Sequence, residues 1–263
     1  MPPITARMPE HGVRKASVLL YGVPKTGKTE NALQFPFPLV LATGANTGTL
    51  EQADFPYLVP DDWDGTWGGF RSKVLPVLKA RQASTLVPPG VAVETIVIDE
   101  LNNLIELLVN HISGPDPARK WTMQDFGRFG AELSPVLRDL ANLKNPLGDK
   151  DRYNVVATCH VRDVTDGDGN LAAIAPKILG QTKDMVGAYF DFVALLTKEL
   201  ATEIDATTKT VRKVAQYHAY TSPPDKFHAR LGLGGSIGRN FPARLHLTGP
   251  TTLHDEIVKH LGG

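Results

Sequence analysis

The stretch GVPKTGKT, residues 22–29, decides the fold of this chain. It matches the pattern GxxxxGKT without a gap, follows the apolar run 17–21 and precedes a helical pattern over 29–34. In a strand, loop and helix of this kind, glycines let successive backbone N–H groups point inward around a phosphate, and the helix N-terminus adds positive potential. The stretch therefore predicts a phosphate-binding loop, the alternative being a Gly-Lys turn without a ligand.

Two side chains of this loop have predicted roles of their own. Lys28 would reach the β- and γ-phosphate oxygens of a nucleotide, and the Thr29 hydroxyl would ligate Mg²⁺. ATP and Mg²⁺ are therefore the predicted cofactors.

The segment TIVIDE, residues 95–100, is a buried strand that ends in two acids. Strand ends in parallel sheets line the ligand crevice, so Asp99 is predicted to hold Mg²⁺ and Glu100 to orient an attacking water as general base. Alternatively, one or both acids begin the next helix, where negative charge is favourable. The predicted nucleotide contacts are Gly22, Val23, Pro24, Lys25, Thr26, Gly27, Lys28, Thr29, Glu30 and Asp99, with Thr29 and Asp99 as metal ligands.

A third polar strand end is His160, which follows the apolar run 154–159. A side chain there faces the same crevice, so His160 could contact the γ-phosphate and report its presence to the following loop. The alternative is a solvated strand tip.

Composition predicts a soluble globular protein, with 42% hydrophobic and 21% charged residues and a net charge of +0. The neutral balance means that any polyanion site must be local. The single cysteine, Cys159, excludes an intramolecular disulfide and favours a reducing compartment, the cytoplasm. Residues 1–15 are expected to form a flexible leader, neither signal peptide nor anchor, before a single domain over 16–263.

Periodicity predicts an α/β fold. Predicted strands cover residues 17–21, 38–43, 91–98, 154–159 and 190–196, predicted helices cover 29–34, 70–82, 100–111, 122–143, 179–189 and 252–261, and predicted hairpins cover 164–174 and 204–221. Residues 54–69 are expected to be irregular, and Pro135 is expected to kink or divide its helix. The order predicts a mostly parallel twisted sheet flanked by helices, with antiparallel strands toward the C-terminus.

The succession YGVPKTGKT, TIVIDE, VVATCHV, PKILGQ and YFDFVALL resembles the single-domain RecA-like ATPases of bacteriophages that belong to the Sak class of recombination proteins. The resemblance covers roughly residues 16–230. It implies a RecA-like core that uses ATP and Mg²⁺ and forms a homo-oligomer through the nucleotide site. It also implies binding or annealing of single-stranded DNA beside a single-strand DNA-binding protein.

One departure from that resemblance concerns catalysis. RecA-like proteins generally place a catalytic glutamate after the second strand, and the segment LATG, residues 41–44, has none. Either Glu100 takes that part or hydrolysis is slow. Slow turnover, with ATP binding as an assembly switch, is the expectation.

The sequence defines a DNA-binding surface less clearly than it defines the nucleotide site. Residues 161–184 would face single-stranded DNA by resemblance, but they hold three basic and four acidic residues, so a solvated hairpin is an equal alternative. Trp121, Phe126 and Phe129 could stack on bases, although their helical spacing favours core packing. An ATPase switch acting on protein partners, of the helicase-loader or signalling type, therefore stays open. A small-molecule kinase is less favoured because no arginine-rich lid is found.

A basic C-terminal segment completes the predicted site. By resemblance, Lys226 and Arg230 would reach the γ-phosphate bound by a neighbouring subunit, as arginine fingers do. Residues 224–244 hold four basic residues and one acid. The alternative is a basic surface loop or a patch for DNA phosphates.

Overall fold

The computed structural model describes residues 15–44, 48–51, 54–114, 116, 119–145, 152–178, 186–204, 211–221, 230–231, 241–247 and 252–261. The predicted leader therefore lies almost wholly outside the described residues.

A nine-stranded sheet organises the described chain. Its strands are β1 (Ser17–Tyr21), β2 (Pro38–Ala42), β3 (Tyr57–Leu58), β4 (Thr95–Asp99), β5 (Asn154–Cys159), β8 (Phe192–Ile204), β9 (Val211–Tyr220), β10 (Arg230–Leu231) and β11 (Arg244–His246). The order is β11-β9-β8-β1-β5-β4-β2-β3, and β10 pairs with β8. Neighbours from β8 to β3 are parallel, whereas β9, β10 and β11 pair antiparallel. The predicted mixed sheet is confirmed.

The central strands are continuous apolar runs because both faces of the sheet are covered. In β1, Leu19 and Tyr21 pack into one apolar cluster and Val18 and Leu20 into another, on the opposite face. All four side chains are fully buried. Alternation along each strand thus divides the core into two layers.

Helices cover both layers. Those described are α1 (Lys28–Leu33), α2 (Gly48–Glu51), α3 (Trp67–Gly69), α4 (Leu75–Lys79), α5 (Leu101–Ser113), α6 (Met123–Ala141) and α7 (Leu253–Leu261), with a π-helical turn over Phe70–Val74 and short 3₁₀ segments at Pro60–Trp63, Ala83–Leu86, Asn142–Lys144 and Val186–Ala188. The α1 and α7 helices cover one face, while α4, α5 and α6 cover the other. The start of α6 is capped reciprocally, since Asp125 N donates to Thr122 Oγ1 and Thr122 N donates to Asp125 Oδ2.

A separate hairpin of two strands, β6 (Val161–Thr165) and β7 (Leu171–Pro176), follows β5. Asp166 closes its turn by accepting hydrogen bonds from the backbone N–H groups of Asp168 and Asn170. The hairpin is longer than predicted at both ends.

Several details differ from the predictions. The strand predicted over 91–98 begins only at Thr95, and most of the helix predicted over 179–189 lies outside the described residues. The segment expected to be irregular buries Trp63 and Trp67 in the core beside a helical run, so its polar composition was misleading. Pro135 does not divide α6, which continues through it. The strand expected to end at residue 196 continues to Ile204 and itself forms one arm of the hairpin with β9.

Within the part of the chain that the structure describes, no helix has the length and apolar character needed to cross a membrane.

Candidate functional site

The loop between β1 and α1 is shaped by two glycines. A Cβ on Gly22 would lie 2.6 Å from the Leu196 carbonyl oxygen and 2.7 Å from Thr26 Oγ1, so no larger residue can occupy this position. Gly27 has φ +80°, in the left-handed region that favours glycine. The loop is tied to the sheet because Gly22 N donates to the Cys159 carbonyl oxygen at 3.2 Å.

Lys28 is the buried cation of the loop. Its Nζ donates to the carbonyl oxygens of Gly22 and Val23, both at 3.2 Å, and lies 4.0 Å from Glu100 Oε1. Burial lowers the pKa of Lys28, while the charges of Glu100 and Asp99 oppose that shift. A buried ammonium needs such compensating oxygens, and these are the contacts that phosphate oxygens of a ligand could replace.

Three oxygen-bearing side chains meet beside Lys28. Thr29 Oγ1 donates to the Asp99 carboxylate, 3.1 Å from Oδ1 and 3.2 Å from Oδ2. Thr158 Oγ1 also donates to Asp99 Oδ1, at 2.6 Å. Hydroxyl and carboxylate oxygens are the ligands that Mg²⁺ prefers, so the donor set is chemically suited to that ion.

Glu100 and His160 form the next contact. His160 Nε2 lies 2.8 Å from Glu100 Oε2, and both side chains are partly exposed. The backbone of Glu100 is held by Thr43, whose hydroxyl donates to the Glu100 carbonyl oxygen at 2.5 Å. The Glu100 carboxylate therefore has a cation on one side, Lys28, and an imidazole on the other.

Asn102, in the first turn of α5, connects this site to the β6–β7 hairpin. Its Oδ1 accepts from His160 N at 2.6 Å, and its Nδ2 donates to the Lys177 carbonyl oxygen at 2.5 Å. Lys177 N donates to the His160 carbonyl oxygen at 2.7 Å, which closes the base of the hairpin. One amide thus holds both ends of the hairpin against α5.

Comparison with known proteins gives the family. The AAA domain family AAA_24 matches residues 14–231, most of the chain. The chain belongs to this family. The AAA domain has a RecA-like fold of the AAA type, a mostly parallel sheet with antiparallel strands at the C-terminus.

A comparison of this chain with curated proteins finds no match. Among solved structures, the flagellar accessory protein FlaH from Methanocaldococcus jannaschii is similar at 12% identity and a TM-score of 0.34, with 80% of this chain and 79% of that chain covered.

The structure brings most of the predicted site residues together, but not all of them. Residues 22–30, Asp99, Glu100 and His160 meet at one edge of the sheet. Lys226 lies outside the described residues. For Arg230 the structure describes only a backbone pairing with Val193 of β8.

The proposed DNA-facing side chains are mostly used in packing. Phe129 is buried, and Trp121 packs against the core while its Nε1 donates to Ser113 Oγ. Phe126 is 43% exposed and makes an edge contact with the Trp121 ring. Arg162 Nε donates to the Pro176 carbonyl oxygen within the hairpin.

Four further residues lie at or beside the site and are marked by no motif in the sequence: Thr43, Thr158, Asn102 and Tyr217. A hydroxyl near the carboxyl end of an otherwise apolar strand is the signal that could have indicated the first two. The role of Asn102 depends on a turn of α5 meeting a distant hairpin, which no local pattern encodes. The Tyr217 ring lies against Gly27 through the pairing of β9 with β8, which is a tertiary contact.

Proposed function

We propose that this AAA domain binds ATP with Mg²⁺ and hydrolyses it at the edge formed by the ends of β1, β4 and β5. The convergence of Thr29 and Thr158 on Asp99, beside buried Lys28, carries the proposal. Three separate chain segments supply a cation and a cluster of hard oxygen ligands at one point, which is the requirement of a metal-bound triphosphate.

Each side chain has a task in this proposal. The loop amides and Lys28 hold the phosphate chain, and Thr29 and Asp99 hold the metal, directly or through water. Mg²⁺, when bound, neutralises charge on the phosphate oxygens. Glu100 orients the attacking water and accepts its proton.

Slow turnover is part of this proposal, because residues 41–44 place no acid after β2 and Glu100 alone is left to act as the base. Its carboxylate lies 2.8 Å from His160 Nε2 and 4.0 Å from Lys28 Nζ, so it already has two polar contacts besides a water. ATP binding would then act mainly as a switch.

Binding is tested with Lys28→Ala, which removes the main charge facing the phosphates. We expect loss of ATP binding by calorimetry without loss of the fold, monitored by circular dichroism. Lys259→Ala is the matched control, since Lys259 is 70% exposed on α7. Near-native ATP affinity in folded Lys28→Ala protein would contradict the proposal.

Hydrolysis is tested separately with Glu100→Gln, which keeps the size of the side chain but removes its basicity. We expect ATP affinity within about threefold of wild type and a fall in phosphate release of about 100-fold or more, in the range of general-base loss. Unchanged phosphate release would remove Glu100 from the reaction.

At a finer level, we propose that ATP controls the handling of single-stranded DNA in phage recombination by a homo-oligomer in the host cytoplasm, beside a single-strand DNA-binding protein. The sequence resemblance supports this proposal. The link from His160 through Asn102 to the β6–β7 hairpin supports a nucleotide-dependent surface. The alternative is a switch that acts on protein partners.

Binding of labelled single-stranded oligonucleotides, with ATP, with ADP and without nucleotide, separates the two. A DNA-binding protein should show ATP-dependent affinity that falls as salt is raised, because phosphate contacts release counterions. Absence of binding at low salt in every nucleotide state would favour the protein-partner switch.

A further inference from the structure

We infer that Tyr217 of β9 forms the subsite for the base of the nucleotide, an inference that rests on the proposed function. No motif in the sequence marks this residue. Its place beside the phosphate-binding loop is the observation from which the argument starts.

The direction of the nucleotide follows from the sheet order. The residues assigned to the metal and the terminal phosphate, Asp99, Glu100 and His160, follow β4 and β5 on one side of β1. A phosphate chain laid across the loop with its terminal group on that side must direct its other end to the opposite side of β1. That side is formed by β8 and β9.

Tyr217 lies on that opposite side. Its Cδ1 and Cε1 atoms are 3.5 and 3.7 Å from the position that a Cβ on Gly27 would occupy. Alternation along β9 places Tyr217 on the same face as Ala219, which packs in the cluster that includes Ala32 of α1. The ring is therefore on the face from which α1 and the loop project, and it is only partly buried.

Lys198 adds a positive charge to this aromatic surface. It is directly opposite Tyr217 in the β8–β9 register, and its Nζ lies 5.5 Å from the ring centroid. An ammonium over an aromatic ring is attracted to it and restricts its orientation. The β8–β9 ribbon thus places an aromatic ring, with a cation over one face, next to the loop; a base that packs on the ring takes the place of that ammonium or uses the opposite face.

The chemical partner of such a surface is a nucleobase, because every base has a π-face that can pack on an aromatic side chain. Removal of one aromatic partner typically lowers affinity about five- to 150-fold. The phosphate contacts lie at the loop and do not depend on the ring. Affinity for a nucleoside triphosphate and affinity for inorganic tripolyphosphate should therefore respond differently to loss of Tyr217.

The test compares ATP with tripolyphosphate, both with Mg²⁺, by calorimetry on wild type, Tyr217→Ala, Tyr217→Phe and Tyr57→Ala. Tyr57 is the matched control, a partly exposed tyrosine on β3 at the other end of the sheet. We expect Tyr217→Ala to weaken ATP binding at least fivefold and to change tripolyphosphate affinity by less than about threefold. Tyr217→Phe and Tyr57→Ala should retain both affinities.

Two results with Tyr217→Ala would overturn the inference. Unchanged ATP affinity in Tyr217→Ala shows that the ring does not meet the base, and equal loss for both ligands shows that the ring only supports the loop. If wild-type protein binds neither ligand, the proposed function itself fails, which is a distinct outcome. Tyr217→Phe keeps the test informative if Tyr217→Ala does not fold, because a loss of ATP affinity alone in the phenylalanine variant contradicts a π-surface role.

Discussion

At the scale of single residues, Asp99 is the point on which the site depends, because it accepts hydrogen bonds from two threonines on different elements. Thr29 opens α1, and Thr158 lies near the end of β5. A carboxylate held by two hydroxyl groups has fixed oxygens, so a metal ligand there is already oriented. The sequence shows Thr29 and Asp99 through motifs, whereas the part played by Thr158 appears only when β5 lies beside β4.

Thr158→Val tests this orientation with little change in volume. We expect the apparent affinity for Mg²⁺ in ATP binding to fall about three- to tenfold, since one hydrogen bond contributes about 1 kcal/mol. Thr95→Val is the control, because Thr95 Oγ1 donates to the Pro36 carbonyl oxygen at the other end of β4. Equal Mg²⁺ dependence in the two variants would show that Thr158 does not orient Asp99.

Cys159 gives a chemical probe of the same strand. Burial raises the pKa of its thiol to about 12, so the reactive thiolate is scarce at pH 8. We expect no reaction of the native protein with a thiol-specific disulfide reagent over an hour, and reaction of one thiol per chain after denaturation in urea. Rapid reaction of the native protein would mean that β5 is accessible at its site end.

At the scale of elements, strands buried on both faces were predicted best. The bounds of β1 and β5 agree with the sequence patterns because every residue of those runs is buried. The second half of β8 was missed because it extends past the core, has mostly polar residues without a regular alternation, and depends on pairing with β9. The burial of Trp63 and Trp67 was missed for a similar reason. Their Gly and Asp neighbours are typical of an exposed loop, whereas tertiary packing buries both tryptophans.

The β6–β7 hairpin is the element predicted to respond to nucleotide. We expect His160→Ala to keep ATP affinity within a few fold but to lose ATP-dependent oligonucleotide binding, because His160 joins Glu100 to the base of the hairpin. Binding is measured by fluorescence anisotropy with and without ATP. His111→Ala, an exposed histidine on α5, serves as control.

If His160→Ala protein shows the full ATP-dependent change in oligonucleotide affinity, the sensor role is wrong. If it loses ATP affinity as well, His160 contributes to nucleotide binding itself.

At the scale of the whole molecule, the proposed oligomer would place a neighbouring subunit beside the site at the ends of β1, β4 and β5. The sequence supplied the loop, the strand ends and the fold class, whereas fingers from a neighbour, Lys226 and Arg230, remain a prediction. A sequence motif indicates contacts among residues that are close together in one chain. It does not indicate a contact between subunits, because that contact depends on how two chains assemble.

Mixing two inactive variants tests those fingers. Lys28→Ala protein keeps the fingers and Lys226→Ala/Arg230→Ala protein keeps the loop, so some interfaces in a mixed assembly combine an intact loop with intact fingers. We expect partial recovery of phosphate release relative to either variant alone, with co-assembly shown by different affinity tags. No recovery in proven mixed assemblies would exclude fingers supplied in trans.

The position of β1 has a consequence for synthesis on the ribosome. Its neighbours in the sheet are β5 and β8. Two side chains hold the start of β1: Asn154 accepts a hydrogen bond from Ala16 N, 138 residues away, and Asp191 accepts one from Ser17 N, 174 residues away. At about 5–20 residues per second, β1 waits on the order of ten seconds or more before both neighbours emerge. Until then, β1 lacks at least one of the two strands that flank it, so a chain stopped before β8 contains every residue of the proposed phosphate and metal site but not the strand that completes the support of β1.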